Sequence, residues 1–140
     1  MGHPYDVENA TRLHVEWCRD LIDRTGLTTT NQTEPLMRAV MFELRRSIAP
    51  SAVIAIANAL PDLERGILLA DWSLDYEPDP PPSAEVFHQR VYQRVKGHHS
   101  PPESLTADVF WLWARKLPQK KADAVRKSLP PALVSLWPDP

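Results

Sequence analysis

Leu13, Trp17 and Leu21, preceded by Val7 and Ala10, recur at three- and four-residue steps, the spacing that gathers apolar side chains on one face of an α-helix. The pattern predicts an amphipathic helix from residue 6 to about 25, with Asp6 as N-cap and Gly26 as its stop. Leu36, Val40, Leu44 and Ile48 form a second stripe. It follows Asn31 and Glu34 at capping-box spacing, and Pro35 is placed in the first turn, where no N–H is needed. Ala49-Pro50-Ser51 breaks the period, and Val53, Ile56 and Leu60 give a short third helix. Pro61 ends it by disfavouring a helical backbone at Leu60, and opens a fourth helix with Leu63, Ile67 and Leu68 inward that runs out near Ala70.

Long period-two alternation is missing and the chain has only four glycines, so strands have little to start from. The fifteen prolines sit mostly at helix starts or in the run Pro78 to Pro82, where they stiffen a connector without interrupting a stripe.

At an offset of sixty-nine positions, Val40-Met41-Phe42-Glu43-Leu44 aligns with Val109-Phe110-Trp111-Leu112-Trp113. The register continues through Arg46 and Arg115, Ile48 and Leu117, Ile56 and Val125, and Leu60-Pro61 and Leu129-Pro130. Upstream it slips by one residue, and Trp17 and Leu21 meet Phe87 and Val91. These matches predict an all-α bundle of about eight helices built from two pseudo-symmetric four-helix repeats, about 6–70 and 83–137, joined by an acidic, proline-rich connector, 71–82. The second repeat reads as helices of about 84–96, 104–117, 118–128 and 130–137, opened by Ser83, Ser104, Pro118 and Pro130. Four short helices bury little alone, so a single domain with one shared core is expected.

Met37-Arg38-Ala39-Val40, Leu44-Arg45-Arg46, Ala59-Leu60-Pro61 and Arg65 through Trp72, followed by a second half opening on Val86 to Val91, resemble the bacterial family called domain of unknown function 2267. The resemblance spans nearly the whole chain and implies an all-α fold and no established activity. This chain departs from it at Leu68-Leu69, where an aromatic pair is expected, and in its tryptophan- and proline-rich second half.

Composition adds a compartment and a charge pattern. A lone Cys18, an N-terminus without a basic start and apolar run, and apolar stretches far below about 20 residues point to a soluble cytoplasmic protein. The net charge of −2 hides an asymmetry: residues 1–83 carry −6 and residues 84–140 carry +4, with every lysine in the second part. Such halves either attract each other within the fold or in a dimer, or offer a basic face to an acidic partner. Solvated surface is the plainer account of the same charges.

Trp111 and Trp113 lie about 200° apart around one helix, so only Trp113 joins the stripe of Val109 and Leu117. Trp111 is the repeat equivalent of Phe42, beside Arg38, Arg45 and Arg46. Phe42, Arg45, Trp111 and Arg115 therefore either seal the contact between repeats or form a partner surface. Lys116, Lys120, Lys121, Arg126 and Lys127 make a basic patch at the junction of the sixth and seventh helices, the feature a nucleic-acid binder would need. His88 with His98-His99, and Asp71, Asp75, Glu77 and Asp79, lack the spacing of zinc or EF-hand ligands; His14 stands alone, and Cys18 reads as buried packing. With no nucleophile and base, carboxylate pair or phosphate loop in view, the expected function is a non-catalytic protein-interaction or assembly module without cofactor or metal. Its partner would be an unknown protein or a second copy. Nucleic-acid binding through the basic patch and a small-molecule site between the repeats are the alternatives.

Overall fold

In the computed structural model, the backbone is described for residues 4–26, 30–97 and 100–139, and the side chains for 7–26, 33–97 and 100–139. Among the described residues seven α-helices follow one another: α1 Pro4–Thr25, α2 Thr30–Ser47, α3 Pro50–Ala59, α4 Asp62–Leu69, α5 Ala84–Val95, α6 Leu105–Lys116 and α7 Gln119–Ser128. A 3₁₀ helix, Pro131–Leu136, follows, and no strand occurs among the described residues.

Proline sets most of the corners. Ala49, Leu60, Leu117 and Leu129 each precede a proline and are extended, with ψ of 153°, 153°, 145° and 147°, because the proline ring excludes the helical region from the residue before it. Ser83 caps α5 by accepting from the Val86 N–H at 3.1 Å, as the sequence indicates. Ser104, the expected cap of α6, is itself helical and makes no cap bond to the backbone; its hydroxyl donates to Asp108 Oδ2 at 2.7 Å.

Both long helices start earlier than the sequence suggests. α1 begins at Pro4 and α2 at Thr30, so Asp6 and Asn31 lie inside helices, and their side chains fall outside the described residues. The Glu34 carboxylate pairs with Arg38 at 2.7 Å, and the expected capping box, which needs the Asn31 side chain, falls outside the described residues. Pro35 sits within α2, leaving the Asn31 carbonyl without its usual i+4 donor. The last helix is 3₁₀ instead of α, consistent with a segment of only six residues held by Pro130 and Pro131.

Among the described residues, thirty buried apolar side chains drawn from every element form one connected cluster. Trp17, Cys18 and Leu21 come from α1, Leu36, Met37, Val40, Met41 and Leu44 from α2, and Phe87 and Val91 from α5; α6 supplies Leu105, Val109, Phe110, Leu112 and Trp113. Burial of a side chain the size of Phe87 contributes about 1.5–3 kcal/mol. α2 is central, packing on α1, α4, α5 and α6, while α1 also packs on α4 and α6. α3 packs most extensively on α7, and both contribute buried alanines, Ala57 and Ala59 from α3 and Ala122 from α7.

Two expected core positions face outward. Val7 is 64% exposed, since the first turns of α1 extend past the core. Leu63 is 37% exposed whereas Glu64 is fully buried, so the inner face of α4 is Glu64, Ile67 and Leu68. A carboxylate takes the inward place because α1 presents His14 to it.

The segment between α4 and α5 is docked, not merely a solvated spacer. Tyr76 Oη donates to the Ile48 carbonyl at 2.8 Å, and the Asp79 N–H donates to the Arg46 carbonyl at 3.0 Å. Arg90 donates to the Asp79 carbonyl at 2.8 Å.

Candidate functional site

Phe42 lies on α2 off the buried stripe and is partly exposed. Arg38 and Arg45, four residues before it and three after, share its side of the helix. The Arg45 guanidinium sits 4.1 Å from the ring centroid and that of Arg38 5.9 Å. Each such cation–π contact stabilises by about 0.5–1 kcal/mol at an exposed site.

Arg45 is fixed from its other side by the end of α4. Its Nη1 donates to the carbonyls of Leu68 and Ala70 at 2.8 and 2.7 Å, two acceptors that the terminating helix leaves free. Burial first, and the nearby Arg94 second, lower the Arg45 pKa from its ordinary value. The guanidinium remains charged, yet none of its bonds goes to a carboxylate among the ion pairs of the described residues.

Arg94 reaches the same place from α5. Its Nε donates to Glu43 Oε1 at 2.9 Å, and Arg46 Nη1 approaches the same oxygen at 3.5 Å. Glu43 is 2% exposed and its Oε2 has no partner. A groove of about 530 Å³ runs between α2 and the end of α5, lined by Glu34, Pro35, Arg38, Ala39, Phe42, Arg94 and Val95. It continues past Phe42 into a hollow of about 220 Å³ bordered by Arg45, Trp72 and Tyr76. The rings of Trp72 and Tyr76 are 6.3 Å apart, and burial raises the Tyr76 pKa.

Trp111 has an environment of the same type on α6. Arg24, from the last turn of α1, lies 4.7 Å from its ring and Arg115 5.5 Å. Arg24 also pairs with Asp108 at 3.3 Å. The structure thus brings Phe42 together with Arg45 and Trp111 together with Arg115. It forms two centres, and no ring contact among the described residues links them.

The basic patch divides. Lys116 is held by Asp20 at 2.6 Å, whereas Lys120, Lys121, Arg126 and Lys127 are exposed on α7, opposite the Ala122 and Val125 face. Asp123 lies among them and accepts from Gln119 at 2.8 Å.

One polar cluster escapes a reading by sequence distance. His14 Nδ1 lies 2.6 Å from Glu64 Oε1, and His14 Nε2 lies 3.8 Å from Cys18 Sγ. Bonds to Cys18 and Glu64 push the His14 pKa from 6.5 up to about 10. Thiol, imidazole and carboxylate are in the order a nucleophilic site needs, but Cys18 has no exposed surface. The four-residue spacing of His14 and Cys18 was the available signal; nothing in the sequence ties Glu64 to them.

Among the described residues, no three His, Cys, Asp or Glu side chains come close enough to share a metal ion. His98 and His99 lie outside those residues. No described helix is long and apolar enough to cross a membrane.

A search of curated proteins finds no match. The profile of a family described as "Uncharacterized conserved protein (DUF2267)" matches residues 14–136, and at that coverage the chain belongs to the DUF2267 family.

Proposed function

We propose that the protein is a non-catalytic interaction module whose groove between α2 and α5 takes an acidic segment of another protein, with an apolar side chain of that segment set against Phe42. The supporting observation is the position of Phe42, a half-exposed ring where the groove meets the adjoining hollow. Arg38, Arg45 and Arg94 lie around it, Arg38 paired with Glu34 and Arg94 with Glu43, and Arg45 bonded only to backbone carbonyls. Aromatic and arginine side chains are the residues that most often dominate a binding interface, and an arginine already stacked loses little entropy on pairing with a carboxylate. The groove joins the two segments that the sequence pattern relates as repeats. That relation is itself a proposal, supported by the positions of Pro50 and Ala59 at the ends of α3, sixty-nine before Gln119 and Ser128 at the ends of α7.

Placing a photo-crosslinking amino acid at position 38 tests the assignment in cells. Crosslinked peptides should come from an acidic segment, and Phe42→Ala should remove them while the protein stays folded by circular dichroism. Crosslinks to neutral or basic segments, or yields unchanged in Phe42→Ala, would overturn it. Crosslinks to a second copy would make the module self-associating.

A second reading rests on the exposed cations of α7. If Lys120, Lys121, Arg126 and Lys127 contact phosphates, affinity for duplex DNA should fall with log salt at a slope of about −0.9 per phosphate neutralised. Lys120→Glu with Lys121→Glu should abolish the low-salt mobility shift. A wild-type protein that gives no shift at low salt ends this reading.

A further inference from the structure

The hollow beside Phe42 holds a cation whose bonding is incomplete. Arg45 Nη1 is used twice, by the Leu68 and Ala70 carbonyls at 2.8 and 2.7 Å, and its guanidinium carbon lies 4.1 Å from the Phe42 ring centroid. Arg45 Nε and Nη2 bond nothing among the described residues. The neighbouring cations are more committed: Arg46 pairs with Glu43 at 3.5 Å and with Asp79 at 3.3 Å, and Arg94 with Glu43 at 2.9 Å through Nε. Two carbonyls and a ring hold the Arg45 fork in one orientation, so little entropy is lost when an acceptor arrives.

The hollow, about 220 Å³, is smaller than a typical small-molecule site of about 300–1,000 Å³. It shares Phe42 and Arg94 with the larger groove along α2, so it suits one side chain of a segment lying in that groove. Arg45, Arg46 and Arg94 line it against a single carboxylate, Asp75, and Glu43 takes up one charge of Arg46 and Arg94. Asp79 is matched by Arg90. The surplus is one positive charge, which favours a monoanion. Burial first, and Arg94 second, lower the Arg45 pKa, and Asp71 acts against them. An anion between Arg45 and Arg94 offsets their repulsion, while Asp71 and Asp75 weigh against a second negative charge.

We infer, resting on the acidic-segment reading above, that this hollow is where the groove reads its partner. It takes the carboxylate of one Asp or Glu of the bound segment, seated on the Nε and Nη2 fork of Arg45, in preference to a phosphoryl group. Arg45 is then the residue that selects the acidic side chain, and Phe42 holds the apolar one next to it.

Phenylpropionate, its neutral amide and phenyl phosphate, dianionic at neutral pH, carry a phenyl ring with one, no and two negative charges. Titrated into the full chain at matched ionic strength and followed by NMR at the Arg45 Nε–H and the Phe42 and Tyr76 rings, phenylpropionate should give saturable shifts. The amide should give none at equal concentration, and phenyl phosphate should bind more weakly than phenylpropionate. Arg45→Lys keeps the charge and loses the fork, so it should weaken phenylpropionate at least about tenfold. Should Arg45→Lys unfold through loss of its bonds to the end of α4, Ser73→Glu replaces it. Ser73 is exposed in the lining, and a carboxylate tethered there should shift the Arg45 Nε–H and block phenylpropionate. An amide that binds as well as phenylpropionate, tighter phenyl phosphate, or unchanged phenylpropionate affinity in Arg45→Lys or Ser73→Glu would each overturn the assignment of the hollow. Acidic crosslinks from position 38 with no saturation at Arg45 would sink the carboxylate site alone. Phenylpropionate held at Arg45 while the crosslinks come from neutral segments would sink the partner reading and uphold the carboxylate site.

Discussion

His14 and Glu64, fifty residues apart, meet at 2.6 Å between α1 and α4, with the Glu64 side chain fully buried and that of His14 12% exposed. Glu64 is in the first turn of α4, where the helix dipole favours a negative charge, and the imidazolium supplies the counter-charge. In the unfolded chain the imidazole titrates near 6.5, and in the fold near 10. The folded chain therefore holds this proton more tightly. The stabilisation is complete below about pH 6.5 and is lost as pH rises through about 10. Melting temperature should fall across that window in the wild type and stay flatter in His14→Gln. Equal slopes in the two proteins would contradict the assignment. Cys18→Ala removes the larger of the two bonds that raise the pKa, so the NMR titration of His14 should move back toward 6.5.

Glu43 and Arg94 link α2 to α5 in the same manner. Removing Arg94 leaves a carboxylate that is 2% exposed with only the longer Arg46 contact at 3.5 Å. Arg94→Ala should cost about 3–5 kcal/mol in chemical denaturation, because the uncompensated buried charge sets the penalty. Arg94→Leu combined with Glu43→Leu should be markedly milder than Arg94→Ala. A double variant as unstable as the single one would show that Arg94 acts through packing alone.

Tyr76 tests whether the connector is part of the fold. Its hydroxyl donates to the Ile48 carbonyl at 2.8 Å, so Tyr76→Phe should cost about 1 kcal/mol. It should also speed amide exchange at Asp79, whose N–H donates to the Arg46 carbonyl nearby. Unchanged stability and exchange would return the segment to the status of a spacer.

The helices were legible because their signals are local. Stripes such as Leu36, Val40 and Leu44, and prolines at positions 50, 61, 118 and 130, act within one turn of the chain. The inward turn of Glu64 was not legible. Leu63 is the apolar residue of that pair, and the partner that draws Glu64 in is fifty positions away. The off-stripe position of Phe42 and Trp111 followed from helical geometry, but the cations over them come partly from elsewhere, as with Arg24 over Trp111.

Trp111 and Trp113, two positions apart on α6, should differ sharply in their worth to stability. Trp113 has no exposed surface and packs with Phe110, ring centroids 6.0 Å apart, while Phe110 in turn meets Trp137 at 5.7 Å. Trp113→Ala empties a fully buried site beside Phe110 and should cost about 3–5 kcal/mol. Trp113→Phe should cost far less. It leaves a smaller void and also removes the buried indole N–H, which has no acceptor and is a standing penalty in the wild type. Trp111→Ala loses two cation–π contacts at a partly exposed position, about 1–2 kcal/mol together. Urea denaturation of the three variants should therefore rank Trp113→Ala well below Trp111→Ala and Trp113→Phe. If Trp111→Ala proves as damaging as Trp113→Ala, then Trp111 is a core residue that joins α6 to α1 through Arg24, and its surface is not available to a partner.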